Sequence, residues 1–201
     1  MTADSRSTPV RFRSIAQVIK DHVFLLFSLL AVFWVVEIVD LLPFLHLDRY
    51  GIHPRSASGL SGIVVAPFLH AGFGHLILNS LPFIVLGGAV LLSGVRVFWG
   101  VTIFVTVAGG FGVWLFAEKF SNHIGASGLI FGYLGFLLSR AVFEKSFPSI
   151  AIALAILVGY GGLLLGVLPA KIGISWQGHL FGFLAGICAA RLIAGTRRSH
   201  N

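Results

Sequence analysis

The strongest constraint on this chain is a series of apolar stretches, at about 23–42, 65–92, 97–117, 127–139, 148–168 and 176–190, separated by one longer loop at 43–64 and otherwise by short turns. A helix rises 1.5 Å per residue, so about twenty apolar residues reach across the ~30 Å hydrocarbon core of a bilayer. Backbone N–H and C=O groups find no water there, and a helix satisfies them internally. The expected fold is therefore all-α: a polytopic membrane protein with six transmembrane helices. Composition agrees, since 10% of the residues are charged, against about 25% in soluble domains. The first stretch is too long for a signal-peptide core, and no small-residue cleavage site follows it, so it reads as a retained anchor.

The basic residues set an expected orientation. With the N-terminus inside, Arg6, Arg11, Arg13, Lys20, Arg96, Arg140, Lys145, Arg191, Arg197 and Arg198 fall on the cytoplasmic side. Arg49, Arg55, Lys119 and Lys171 fall outside, and ten against four follows the positive-inside rule. The expectation is a multi-pass plasma-membrane protein with both termini cytoplasmic. Its organisation is a tail at 1–20, one membrane domain at 21–195 and a second tail at 196–201. The net charge of +7 reflects these basic loops rather than a nucleic-acid partner. The single cysteine, Cys188, provides neither a disulfide framework nor a cysteine metal site. Phosphate-loop, EF-hand and Cys-x-x-Cys motifs are absent from the sequence. Glu37 and Asp40, near the far end of the first stretch, are expected to face other helices or the interface.

Polar residues inside apolar stretches are the functional signal. In Gly125-Ala126-Ser127-Gly128 a small hydroxyl residue sits where a polar loop becomes a hydrophobic helix. Glycine permits a sharp turn and close substrate approach, and a helix N-terminus offers unpaired N–H groups to an oxyanion. The same tetrapeptide also marks plain helix packing. Ser127 lies thirteen residues before Arg140 and His179 twelve before Arg191, which places both about 18–20 Å above the cytoplasmic boundary. A serine and a histidine at one depth can meet, and a serine needs a neighbouring base to become a nucleophile. His75 and Asn79, four residues apart, share a helix face and both donate, which suits an oxyanion better than a cation. His70 and His75 are about 140° apart on an ideal helix, a poor zinc pair. Metal ligation by His70, His75 and His179 stays open at this point. Gly128 with Gly132, and Gly182 with Gly186, have the spacing that lets two helix backbones come close. Histidines 22, 46, 53, 123 and 200 lie in tails or loops and are expected to be solvated.

His70-x4-His75-x3-Asn79, Gly125-x-Ser127-Gly128 and His179-x2-Gly182-x3-Gly186, on alternate helices, resemble the rhomboid family of intramembrane serine proteases of the bacterial six-helix type. Tyr50-Gly51-Ile52 and Pro54 resemble that group's first loop. The resemblance implies Ser127 as nucleophile and His179 as general base. It implies an oxyanion hole from His75, Asn79 and the Ser127 backbone N–H, with His70, Gly125 and Gly128 in support. It implies no cofactor and no metal. Two positions depart from the pattern. Many relatives carry a tyrosine where this chain has Phe131, which keeps the ring face and loses the hydroxyl. A Trp-Arg pair of some first loops is missing.

The expected function is that of a serine endopeptidase cutting single-pass transmembrane proteins near the outer face, with the bilayer and client transmembrane segments as partners. A client helix must unwind to expose its scissile carbonyl, so a small residue at the cut and helix breakers below it are expected. The short loop at about 170–175 is an expected lid. Two other readings are a non-catalytic rhomboid-like protein that binds transmembrane helices, and a metal-dependent membrane hydrolase or transporter using the histidines.

Overall fold

The computed structural model describes residues 14–169 and 175–198. Expectations for residues 1–13, the loop 170–174 and His200 fall outside the described residues. Among the described residues the architecture is all-α, with six helices long and apolar enough to cross a membrane. Helix α1 (Ile15–Asp40) starts at Ser14, whose hydroxyl accepts the Gln17 N–H. It begins about two turns before the apolar stretch that starts near Val23, so His22 is helical rather than part of a tail. At its other end the Asp40 carboxylate takes the Leu47 N–H and turns the chain. A 3-10 turn, Leu47–Tyr50, leads to α2 (Ala57–Val65), capped by Ser56.

The stretch 65–92 reads in sequence as one helix carrying His70, and the structure corrects this. Pro67 sits in a 3-10 turn, Ala66–Phe68, after which Leu69 is extended. Gly72 (φ +99°) then opens a new helix, α3 (Phe73–Leu91). That backbone conformation is open to glycine and strained for other residues. His70 is therefore off the helix, and the 140° argument does not apply to it. Its ring centroid lies 5.2 Å from that of His75. Short α2 was not distinguished in sequence from the loop before it.

The next span, Val95–Phe116, joins α4 (Val95–Phe104) to α5 (Gly110–Phe116) through a π turn, Val105–Gly109. Helix α6 (Ser127–Glu144) is buried all round from Leu129 to Leu137, as befits the central helix. Its Tyr133 hydroxyl meets Thr102 Oγ1 at 2.8 Å. Thr102 gives its own hydrogen to Phe98 O, so Tyr133 is the donor. Helices α7 (Phe147–Tyr160), continued by a 3-10 run, Gly161–Val167, and α8 (Trp176–Arg198) complete the bundle.

The backbones of α6 and α8 approach closely. A Cβ on Gly182 would lie 2.1 Å from Gly128 O, one on Gly186 2.0 Å from Gly132 O, and one on Gly135 2.3 Å from Phe183 O. A side chain at 135, 182 or 186 would force the two backbones apart, whereas a Cβ on Gly132 would meet Val105 Cγ1 at 2.2 Å rather than α8. The two ends of the bundle are distinct. Ile52 and His123 exchange backbone hydrogen bonds of 3.0 and 3.1 Å and tie the first loop to the one before α6. At the opposite end Arg140 bonds Ser93 and pairs with Glu144. Leu78, Val158 and Phe24 are among the many apolar side chains left facing outward, as a lipid-facing surface requires.

Candidate active site

Ser127 is the first residue of α6 and is half-buried. The turn before it depends on Gly125. Its φ is +112°, and a Cβ there would sit 2.6 Å from His75 Cε1, so glycine is required by both conformation and space. Gly125 N–H donates to Ala66 O at 2.9 Å, and Ala126 N–H to His70 Nε2 at 3.4 Å. The turn is thus tied to the non-helical segment between α2 and α3. Among the described residues, Ser127 Oγ makes no hydrogen bond. The N–H groups of the first turn have no intrahelical acceptor by the geometry of any helix start.

His179 lies in the first turn of α8. Its Nδ1 is 2.9 Å from Gly166 O, which can only accept, so Nδ1 carries the hydrogen and Nε2 of the neutral ring is a free base. Phe131 stacks on this ring at 4.1 Å between centroids and 3° between planes. Ser127 and Phe131, four residues apart, share one face of α6. The stack therefore brings His179 to the face of α6 that carries Ser127. The hydroxyl of a tyrosine is not needed for it.

His75 Nδ1 accepts the Ala71 N–H at 3.3 Å, so the neutral ring carries its hydrogen on Nε2. That edge lies against Gly125, where an added Cβ would be 2.9 Å from Nε2. Asn79 is buried and gives one amide hydrogen to His75 O at 2.8 Å, leaving the second to spare. His70 is buried, and its Nδ1 completes no hydrogen bond. Burial, with His75 alongside, pushes His70 down to about 4, opposed by the Phe68 carbonyl from beyond hydrogen-bonding distance. It is thus neutral at pH 7 and able to accept from Ala126.

Sequence reasoning missed His123, expected to be solvated. It is buried, and both ring nitrogens are bonded: Nε2 to Ser121 Oγ at 2.7 Å and Nδ1 to Ser175 Oγ at 2.6 Å. Burial, with His53 nearby, pushes it down to about 4. The structure thus contains a hydrogen-bonded serine–histidine pair, Ser175 and His123, that sequence reasoning did not anticipate. The available signal was Ser175 itself, a serine immediately before an apolar helix and so a natural N-cap. A half-open cavity of about 50 Å³ is lined by Ser127, His123, Ser175, Ala66, Val105 and Ile52. It has room for a few water molecules. Among the described residues no three His, Cys, Asp or Glu side chains converge as a metal-ligand set would.

The sequence model of the Rhomboid domain family matches residues 57–196, well over half of the chain. The chain belongs to the rhomboid family. Rhomboids are generally intramembrane serine proteases, and the six apolar helices among the described residues agree with that membrane setting. Similar proteins occur in mycobacteria. One of Mycobacterium tuberculosis is 42% identical over 179 residues, covering 85% of this chain and 75% of the relative. One of Mycobacterium leprae is 41% identical over 179 residues, covering 85% and 71%. Both are described only as uncharacterised, so they add the rhomboid family's reach and no activity.

Proposed function

We propose that this rhomboid, with its protease domain at 21–195, is an active endopeptidase that cleaves single-pass transmembrane proteins near the outer membrane face with a Ser127–His179 dyad. The observation that carries the reading is the state of His179. Its Nδ1–H is committed to Gly166 O and its ring is held on Phe131, leaving Nε2 as a base on the face of α6 that carries Ser127, whose hydroxyl makes no hydrogen bond among the described residues. In the reaction Nε2 takes the Ser127 proton as Oγ attacks the scissile carbonyl. The imidazolium then protonates the leaving amine as the C–N bond breaks. Water, activated by the same histidine, releases the acyl group. A hydroxyl–base hydrogen bond that is absent in a resting enzyme often forms only when substrate binds. The decisive experiment is labelling by a serine-directed fluorophosphonate in native membranes, with the modified residue located by mass spectrometry. Label on Ser127 is expected. Label on Ser175 would favour the second pair instead, because His123 sits 2.6 Å from that hydroxyl.

The oxyanion hole is assigned to His75 Nε2–H, the spare Asn79 amide hydrogen and the Ser127 N–H. These donors act on charge that exists only in the transition state, so their loss lowers turnover rather than binding. His75→Ala and Asn79→Ala are each expected to reduce kcat about 100-fold or more with little change in KM. Unchanged kcat in either variant would remove that residue from the hole.

The active site opens to the outer face if the basic residues have set the topology. In a Cys188→Ser background, His53→Cys and Lys119→Cys should react with an impermeant thiol reagent added outside. Arg96→Cys and Lys145→Cys should not. The reverse pattern would move the chemistry to the cytoplasmic side.

Client selection follows from the backbone. A helical carbonyl is hydrogen-bonded and crowded, and freeing it in lipid costs several kcal/mol per group. Clients should therefore carry a small residue at the cut and Gly or Pro just below it. Replacing those helix breakers with Leu in a cleaved client should slow cleavage about tenfold or more without blocking insertion. Equal rates for both clients would rule out an unwinding requirement.

A further inference from the structure

The hydrogens around His123 can be placed one by one. Ser121 Oγ donates its single hydrogen to Glu118 O at 2.6 Å, so toward His123 it can only accept. His123 Nε2 therefore carries a hydrogen. The ring is neutral at pH 7, so Nδ1 is a lone pair and Ser175 must donate its hydroxyl hydrogen to it. That leaves the Ser175 oxygen to accept the Gly178 N–H at 3.1 Å, while the Ser175 carbonyl accepts the His179 N–H at 3.1 Å. The run is one-directional, from the first turn of α8 through Ser175, His123 and Ser121 to the Glu118 carbonyl. Its middle is also firmly anchored. The His123 backbone is paired both ways with Ile52, and a Cβ on adjacent Gly51 would lie 2.7 Å from His123 O. His123 stands four residues before Ser127, and Ser175 four before His179.

We infer that His123 is a positioning residue for the proposed dyad: it orients the Ser175 hydroxyl that caps α8 and so couples the placement of His179 to the loop that delivers Ser127. This rests on the Ser127–His179 reading. The cap would exist without His123, since serine caps helices unaided. What His123 adds is a fixed direction for the hydroxyl and a tie between the two halves of the site. The effect belongs in the rate of proton transfer, not in substrate binding.

The test uses the purified full chain in lipid. The rate of acylation by a fluorophosphonate is separated into its affinity and its maximal rate, and the labelled residue is located by mass spectrometry. Wild type is expected to label at Ser127. His123→Ala and Ser175→Ala should each lower the maximal rate by about ten- to a hundredfold, the scale of a misplacement near 1 Å, with affinity within about twofold. His123→Asn should recover much of the loss, because its Oδ1 can accept from Ser175 where Nδ1 did. The double variant should be no slower than the slower single one, since both act through one bond. Melting temperatures separate this from a purely structural tie, which would lower stability and leave the folded fraction labelling at the wild-type rate. That result, or a wild-type maximal rate in either single variant, overturns the inference alone. Wild-type label at Ser175, or at no serine, overturns the dyad reading and the inference with it.

Discussion

Ser127→Ala and His179→Ala are each expected to abolish proteolysis while the protein still inserts and folds. In the proposed dyad Ser127 supplies the atom that bonds to substrate, so its loss would leave only the donors and the binding site. His179 would supply the base without which the hydroxyl is a poor nucleophile at neutral pH. Where nucleophile and base act as a unit, removing either costs nearly as much as removing both. Each single variant and the double should therefore fall by a similar factor, on the order of 10⁴ or more. Neither change should cost much stability. The Ser127 hydroxyl makes no hydrogen bond among the described residues, and His179 would lose its single bond to Gly166 and its stack on Phe131. Cleavage of a model client, normalised to folded protein, is the measurement. Chelators should leave the wild type unaffected. Full activity in Ser127→Ala, or loss on chelation restored by zinc, would sink the dyad. Activity retained in Ser127→Ala but lost in Ser175→Ala would transfer the chemistry to the second pair.

The parts legible in the sequence were those written as periodic or repeated signals. Six apolar stretches predicted six spanning helices, and the paired glycines predicted that α6 and α8 would touch. The parts missed depended on backbone geometry or on partners distant in sequence. Pro67 and Gly72 end one helix and open another inside a stretch that hydropathy alone joins, because both segments are apolar. His70 was consequently placed on a helix face that it does not occupy. His123 is a loop residue whose burial arises from Ile52, seventy-one positions earlier, and Ser175, fifty-two positions later. No local pattern carries that information. Ser127 and His179 were suggested by their common depth and Phe131 by the family resemblance, but which His179 nitrogen carries the hydrogen required the Gly166 carbonyl, thirteen residues away.

The second large effect is expected at Gly186, seven residues beyond His179 on α8. Glycine to alanine in a helix ordinarily helps by roughly 0.5–1 kcal/mol, because alanine has less backbone freedom to lose. Contact decides the sign here. A Cβ on Gly186 would stand 2.0 Å from Gly132 O and 2.8 Å from Phe136 N. Both atoms belong to the backbone of α6 and cannot rotate away, so relief requires α8 to move outward. Overpacking of this kind costs about 1–3 kcal/mol and occasionally more. In a chain of this length that corresponds to a fall in melting temperature of roughly 2–12 °C. The same outward shift should displace His179 relative to Ser127 in the proposed dyad, and a displacement near 1 Å can cost on the order of 100-fold in rate. Gly186→Ala should therefore lose both stability and Ser127 labelling, although it lies far from the reacting atoms. Gly88→Ala is the control. There the nearest atom to an added Cβ is Leu26 Cδ1 at 3.6 Å, an ordinary contact with the end of a flexible side chain. That variant should be neutral or slightly stabilised and label at the wild-type rate. If Gly186→Ala melted and labelled like Gly88→Ala, α6 and α8 would not be packed at this separation, and the route by which His179 reaches Ser127 would have to be redrawn.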